Sequence, residues 1–241
     1  MSGHGLFVTG TDTGVGKTLV SAALLYLMAD LGLRAVGMKP VAAGASLIDG
    51  VWANEDVLAL RAASGVAADA AEINPYLLRE AIAPHIAAER KGVRIEIPRI
   101  VAAYDGLAAR ADWVVVEGAG GLCVPLGPSQ DFADLAVALK LPVLLVVGMR
   151  LGCLNHALLS AEAIERRGLR LAGWVANPVE AAMPAYAENR DSLAARLPAP
   201  LLAELLFMNE PTPRHAARYL APHRLHGWLA GLTAGAEAVD S

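Results

Sequence analysis

Only two cysteines, Cys123 and Cys153, occur in 241 residues, without CxxC spacing. That excludes a disulfide scaffold and suits a reducing cytoplasm, where both thiols are expected to be inert. Aromatic residues are scarce, at 5%, and no Lys/Arg stripe carries interleaved aromatics. With 24 acidic against 20 basic side chains, nucleic acid is not an expected partner. Long apolar runs are missing too. The longest strongly apolar stretch, Leu141 to Val147, contains Pro142 and is far too short to span a bilayer. The chain enters Leu6-Phe7-Val8 through Ser2, Gly3 and His4, with no basic segment leading an apolar stretch to a cleavage site, so no export signal is expected.

What the chain has in abundance is apolar residues, 55% of the total, many of them alanines among polar neighbours. Its length fits one α/β domain over residues 1–241, with a tail from about Ala230 to Ser241 expected to fray. Short apolar runs, each followed by a longer stretch of helical spacing, predict strands at Gly5 to Thr9, Ala35 to Lys39, Trp113 to Glu117, Pro142 to Gly148 and Leu171 to Asn177. Strands so uniformly apolar have no wet face. They imply a doubly wound, mostly parallel sheet with helices on both faces. Val20, Ala23, Leu24, Leu27 and Leu31 form one face of a first helix that Gly32 stops. Further helices are expected near Asp56 to Ala63, Arg99 to Arg110, Phe132 to Leu139, Leu154 to Arg167 and Ala185 to Leu197.

Gly10-Thr11-Asp12-Thr13-Gly14-Val15-Gly16-Lys17-Thr18 joins the first strand to the first helix, which is the context of a phosphate-binding loop. Glycines let backbone N–H groups turn toward phosphate oxygens, and the helix start adds its positive dipole end. Lys17 can reach the β and γ phosphates, and the Thr18 hydroxyl can bind magnesium. The strict pattern needs glycine at Thr11, so the loop is a variant that starts one residue early, at Gly10. A nucleoside triphosphate site is therefore expected. Glu117, ending a hydrophobic strand, is the candidate acid for the metal, and Gly118-Ala119-Gly120-Gly121 lets the backbone pass close to phosphates. By spacing alone, Asp56 is an N-cap or first-turn carboxylate. Lys39 is either a solvated strand end or a second cation for the phosphoryl group. Leu151-Gly152-Cys153-Leu154-Asn155-His156 opens a helix, where a bound carboxylate and an ordinary solvated start are equally open. His223 and His226 lack a third nearby ligand and are assigned to the surface.

The sequence resembles the dethiobiotin synthetase family from Leu6 to about Leu206. The likeness rests on Phe7 to Thr13 with Val15 to Thr18, Lys39-Pro40-Val41-Ala42, Asn74-Pro75-Tyr76, Pro84-His85, Val116 to Gly121, Leu151 to His156 and Ala172 to Asn177. It implies a P-loop ligase that turns diaminopelargonic acid, carbon dioxide and ATP into dethiobiotin, ADP and phosphate. In the family an amine becomes a carbamate, its oxygen attacks the γ-phosphorus, and the second amine closes the ureido ring.

By the same resemblance Lys17, Lys39 and Thr13 stand at the reacting groups, and Thr18, Asp56 and Glu117 surround magnesium. Nucleotide is expected at Gly14, Val15, Gly16, Leu19, Gly118, Ala119, Gly120, Asn177, Pro178, Leu206, Phe207 and Met208, with Asn177 on adenine. Substrate is expected at Ala43 and at Leu151, Gly152, Cys153, Leu154 and Asn155, the latter group reaching it from the neighbouring subunit of a homodimer. Three positions depart from the family: Ala43 replaces a hydroxyl, Gly14 a residue that is often acidic, and Leu206 a proline at the adenine site.

Two other classes share parts of this pattern. Partitioning-type regulatory ATPases usually carry a lysine early in the loop, where this chain has Asp12. Cobyrinic acid amidating enzymes need a glutaminase domain for which this chain has no room.

Overall fold

The computed structural model describes residues 3–220 and 222–237. In chain order, β1 (His4–Gly10), α1 (Lys17–Asp30) and β2 (Ala35–Met38) come first. Short strands β3 (Val41–Ala42), β4 (Ser46–Ile48) and β5 (Val51–Ala53) precede α2 (Glu55–Ala63), α3 (Ala70–Ile73), β6 (Tyr76–Leu77), α4 (Pro84–Arg90) and α5 (Ile97–Ala108). Then β7 (Trp113–Gly121), α6 (Phe132–Leu139), β8 (Val143–Met149), α7 (Cys153–Arg166) and β9 (Leu171–Pro178) alternate. The described chain closes with α8 (Tyr186–Arg196), β10 (Leu201–Glu204), α9 (Pro213–Ala217) and α10 (Pro222–Glu237).

Six strands form one sheet in the order β10-β9-β8-β1-β7-β2, every neighbouring pair parallel. Successive side chains point to opposite faces, and the core divides accordingly. Phe7, Val36, Val114, Val116 and Leu145 pack on one face with Ile100, Phe132 and Ile164. Leu6, Val8, Val115, Leu144 and Val146 pack on the other with Leu24, Leu25 and Met28 of α1. Each fully buried side chain of this size contributes about 1.5–3 kcal/mol of transfer free energy, which explains why both faces are covered.

The five expected strands are present with boundaries moved by a residue or more. β2 stops at Met38 because the Lys39 N–H turns away to the Ile73 carbonyl at 2.8 Å. The first helix is not confined to one apolar face. Ser21, Ala22, Leu25 and Met28 are buried as well, because α2 and α9 pack on it in addition to the sheet. Sequence periodicity gave no sign of edge strand β10, four residues long, nor of α3, α4, α9 and α10. β10, α3, α4 and α9, at four to seven residues, carry too few periods to read; α10, at 16 residues, is long enough, but its interspersed glycines and alanines dilute the apolar spacing. The tail expected to fray continues as helix to Glu237, with Leu225, Leu229 and Leu232 buried at helical spacing. Residues 238–241 lie outside the described residues. No described helix is long and apolar enough to cross a membrane.

Candidate functional site

Parallel register sets the site. Val8 of β1 lies beside Glu117, and Met38 of β2 lies beside Val116, so the carboxyl ends of β2, β7 and β1 open together. This is the edge at which doubly wound sheets bind ligands. Gly10 to Thr18 leaves β1 there, Lys39 follows β2, and Glu117 projects from β7.

The loop is fastened before it reaches the helix. Thr11 N–H donates to the Val146 carbonyl at 3.0 Å, and Gly148 N–H donates to the Thr11 hydroxyl at 3.1 Å. Asp12 accepts from Arg150 at 2.5 Å and from the Thr13 N–H at 2.7 Å. Gly14 (φ 74°) and Gly16 (φ 89°) take left-handed backbone conformations that side chains disfavour. At Gly16 a Cβ would also sit 2.3 Å from the Asn177 amide nitrogen. Gly16 caps α1 with no side-chain acceptor, so the first-turn N–H groups remain for a ligand.

Two adjoining hollows share Gly14 and Gly16. The larger, about 720 Å³, is lined by Thr13, Lys17, Thr18, Lys39, Ala43, Asp56, Glu117, Ala119 and Gly120. Ala81, Ile82, Ala83, Pro84 and Val124 complete its wall, and the sequence reading assigned none of these to a site. The smaller hollow, about 210 Å³, is lined by Leu19, Asn177, Pro178, Leu206, Phe207 and Met208, with Val179 and Pro211 in addition. Asn177 donates from its amide to the Val15 carbonyl at 2.8 Å, which leaves its side-chain oxygen as an acceptor for a base.

The larger hollow has a charged back wall. Lys39 is 3% exposed and is neither a solvated strand end nor free. Its ammonium donates to Glu117 Oε1 at 2.5 Å and to the Gly118 carbonyl at 3.2 Å, and it forms an ion pair with Asp56 Oδ2 at 2.9 Å. Thr18 donates its hydroxyl to the same Glu117 oxygen at 2.8 Å. The N-cap of α2 is Asn54, which accepts from the Asp56 and Val57 N–H groups, so Asp56 is not the cap but the first-turn carboxylate, the other alternative its spacing offered. That frees the Asp56 carboxylate to face the hollow.

Burial alone would lower the Lys39 pKa, but Glu117 and Asp56 reverse the balance and hold it above the usual lysine value. Burial would raise the Asp56 carboxyl, and Lys39 overcomes that to keep it ionised. Lys17 is the opposite case. Burial, helped by the Lys39 charge, lowers it to about 8 against the partial opposition of Glu117, Asp56 and Asp12. Its ammonium makes one hydrogen bond, to the Asp12 carbonyl at 2.9 Å.

Glu117 is 0% exposed, and its Oε2 is buried without a hydrogen-bond partner. An orphaned carboxylate oxygen beside a threonine hydroxyl and a second carboxylate suits a hard divalent cation. Magnesium is commonly held by one or two protein carboxylates, with phosphate and water completing the shell. Among the described residues no three His, Cys, Asp or Glu side chains gather as ligands, which excludes an all-protein cage there. His226 is exposed, and the side chain of His223 lies outside the described residues.

Two positioning residues carried no assignment in the sequence reading. Asn74 donates to the Lys39 carbonyl at 2.6 Å and to the Tyr76 carbonyl at 3.2 Å, pinning the backbone that aims Lys39. Asn54 adds a bond to the Ala43 carbonyl at 3.1 Å. An asparagine directly before two acids is a cap signal that identifies Asn54 from sequence; nothing comparable marks Asn74. The segment Leu151 to Asn155 does not line either hollow. Leu151, Gly152 and Asn155 are exposed, while Cys153 is buried at the start of α7.

A family model described as an AAA domain matches residues 4–213. Among solved structures, the chain is similar to the MinD cell division protein of Aquifex aeolicus, at 16% identity and TM-score 0.57, covering 93% of this chain and 97% of that one. It is similar to the septum site-determining protein MinD of Pyrococcus horikoshii OT3, complexed with Mg-ADP, at 15% identity and TM-score 0.56, over 93% and 96%. It is also similar to the signal recognition particle receptor FtsY of Elizabethkingia anophelis, complexed with GDP, at 13% identity and TM-score 0.51. There it covers 92% of this chain but spans 63% of the receptor's length. These likenesses share one architecture, the mostly parallel sheet with helices on both sides found in P-loop NTPases.

Proposed function

The chain belongs to that AAA domain family, which includes dethiobiotin synthetase, and we propose that it is itself an ATP-dependent dethiobiotin synthetase acting in the cytoplasm on diaminopelargonic acid and carbon dioxide. The observation that carries this reading is the second lysine: a buried Lys39 facing the same hollow as Lys17, against Asp56 and Glu117. Binding a nucleotide needs one lysine. Joining a carbamate to a phosphoryl group needs positive charge on both sides of the bond that forms.

In this reading Lys17, the loop N–H groups and the start of α1 hold the β and γ phosphates. Thr18, Asp56 and Glu117 hold magnesium, which when bound neutralises charge on the phosphate oxygens. Lys39 faces the carbamate oxygen, Thr13 borders it, and Ala43 leaves that wall without a hydroxyl. Asn177 accepts from the adenine amine between Pro178, Leu19 and the apolar rim Leu206, Phe207 and Met208. Catalysis consists of holding charged groups in line and stabilising the charge that develops, with no covalent intermediate on the protein. Residues Leu151 to Asn155, of which Leu151, Gly152 and Asn155 are exposed and none lines this chain's own hollow, take the substrate carboxylate of a second copy, which makes a homodimer the working unit. Residues 1–241 act as one domain.

A second reading is a regulatory ATPase of the partitioning type. Its support is the near full-length likeness to MinD, a likeness of fold. Asp12, tied to Arg150, stands at the loop position where such proteins usually have lysine. Phosphate release from Mg-ATP, measured with and without diaminopelargonic acid plus bicarbonate and with product followed by mass spectrometry, separates the two. Release that depends on both additions and yields dethiobiotin supports the synthetase. Release indifferent to them removes it in favour of the regulatory ATPase.

A further inference from the structure

An ammonium has three N–H donors, and Lys39 has spent two of them, on Glu117 Oε1 and the Gly118 carbonyl, while it also pairs as an ion with Asp56 Oδ2 at 2.9 Å. So engaged, its ammonium is directed at these acceptors rather than at a phosphate or a carbamate, although its side chain lines the hollow in which such groups would sit. Lys17 has spent one donor. The two lysines are therefore not equivalent.

The place Lys39 occupies is also where a divalent cation held by Thr18, Asp56 and Glu117 would sit. Its nitrogen lies between the two carboxylates that, with the Thr18 hydroxyl, make up the oxygen set a divalent cation would use. Lys17 and Lys39 against Asp56 and Glu117 make a neutral quartet. Two carboxylates close together, one fully buried, would repel without a cation between them. We infer that Lys39 is the resident counter-ion of the metal site: in the nucleotide-free protein its ammonium stands in for the divalent cation, and arrival of that cation with nucleotide displaces the ammonium into the hollow, where it becomes available to the reacting groups.

The backbone is built for a side chain that moves on a fixed base. Lys39 N–H is held by the Ile73 carbonyl and its own carbonyl by Asn74, so an exchange requires only rotation of the four-carbon stem. The orphaned Glu117 Oε2 gives the incoming cation an oxygen that Lys39 does not occupy. Two consequences follow. Free metal binds poorly without nucleotide, because it must evict a cation already well bonded. Metal and nucleotide bind cooperatively, because the phosphates give the evicted ammonium a new partner. The order protects the site: Lys39 is released for chemistry when metal and triphosphate are both in place.

This inference rests on the nucleotide and magnesium part of the proposed function and is indifferent to the organic substrate. Manganese serves as the probe, its binding to the nucleotide-free protein followed by electron paramagnetic resonance. Lys39→Met, which leaves the two carboxylates without their cation, is expected to bind Mn²⁺ at least about tenfold more tightly than the unaltered protein. Equal or weaker binding by a variant with an intact thermal transition overturns the inference. Should Lys39→Met not fold, the unaltered protein decides through the ¹⁵N resonances of its lysine ammonium groups. A slowly exchanging Lys39 signal is expected in the free protein, retained with a non-hydrolysable ATP analogue alone and displaced when Mg²⁺ is added. A signal unmoved by both together overturns the inference. Failure of the analogue to bind at all would sink the nucleotide reading, and the Mn²⁺ comparison would still judge the lysine.

Discussion

The two ends of the groove in front of β1 rest on opposite physics. At the phosphate end, buried Lys17, Lys39 and Glu117 and half-exposed Asp56 meet in one wall, each held by hydrogen bonds or ion pairs to main chain or to one another. At the base end, one amide and an apolar rim face solvent, with Leu206 58% and Phe207 40% exposed. Charge taken out of water needs a partner, so the phosphate end is built in advance. A flat aromatic base needs mainly apolar contact and one or two polar groups, so the base end can remain open and tolerant. Of the three departures from the resembling family, Leu206 alters the tolerant rim while Gly14 and Ala43 line the larger hollow; the charged wall itself, Lys17, Thr18, Lys39, Asp56 and Glu117, keeps the pattern.

The comparison predicts that damage at the phosphate end costs far more than damage at the base end. Lys17→Met should lower turnover on the order of 10²–10³-fold, the usual loss when one donor to developing charge is removed. Its thermal transition should hold or rise, because Lys17 is carried at a burial cost. Kinetics and a melting curve on the same sample check both, and a large drop in melting temperature would mean that Lys17 is structural. Asn177→Ala should weaken ATP binding about fivefold to tenfold, the ~1–1.5 kcal/mol of a neutral hydrogen bond, while leaving inorganic triphosphate unaffected. Equal losses for both ligands, measured by calorimetry, would erase the distinction between the ends.

The smallest expected effect is one of pH. Burial lowers Lys17 to about 8, so below pH 7 the free protein carries it charged and above 8 mostly neutral. Phosphates favour the charged form, so triphosphate binding takes up a proton above about pH 8, and affinity falls as pH rises. From pH 7 to 8.5 the loss should be about fourfold. Calorimetry in buffers of different ionisation enthalpy reads the proton directly, and binding without uptake at pH 8.5 would contradict the lowered pKa. Folding responds with the opposite sign. The cost of burying charged Lys17 is fully present below about 8 and is relieved as pH climbs toward the ordinary lysine value.

Much of the sheet was legible in advance because its strands are apolar on both faces and long enough to stand out, as with Val143 to Met149. β10 was not, since four residues at an edge, two of them half-buried leucines, give no distinct period. The loop from Gly10 to Thr18 was legible because consecutive residues carry its function. Asn74 was not, because its work consists of bonds to Lys39 and Tyr76 that only the folded chain creates.

What the sequence determined by itself is local: the glycines that permit positive φ at 14 and 16, the lysine and threonine at the start of α1, and the apolar strands that must be covered on both sides. Such features follow from the chemistry of neighbouring residues. Only the tertiary structure decided whether Lys39 was a wet strand end or a buried cation, and whether Asp56 was a cap or a wall of the site. Both depended on the register of β2 against β7 and on α2 being capped by Asn54. A charge 78 positions from its partner is assigned by the packing that brings the two strand ends together and keeps water out.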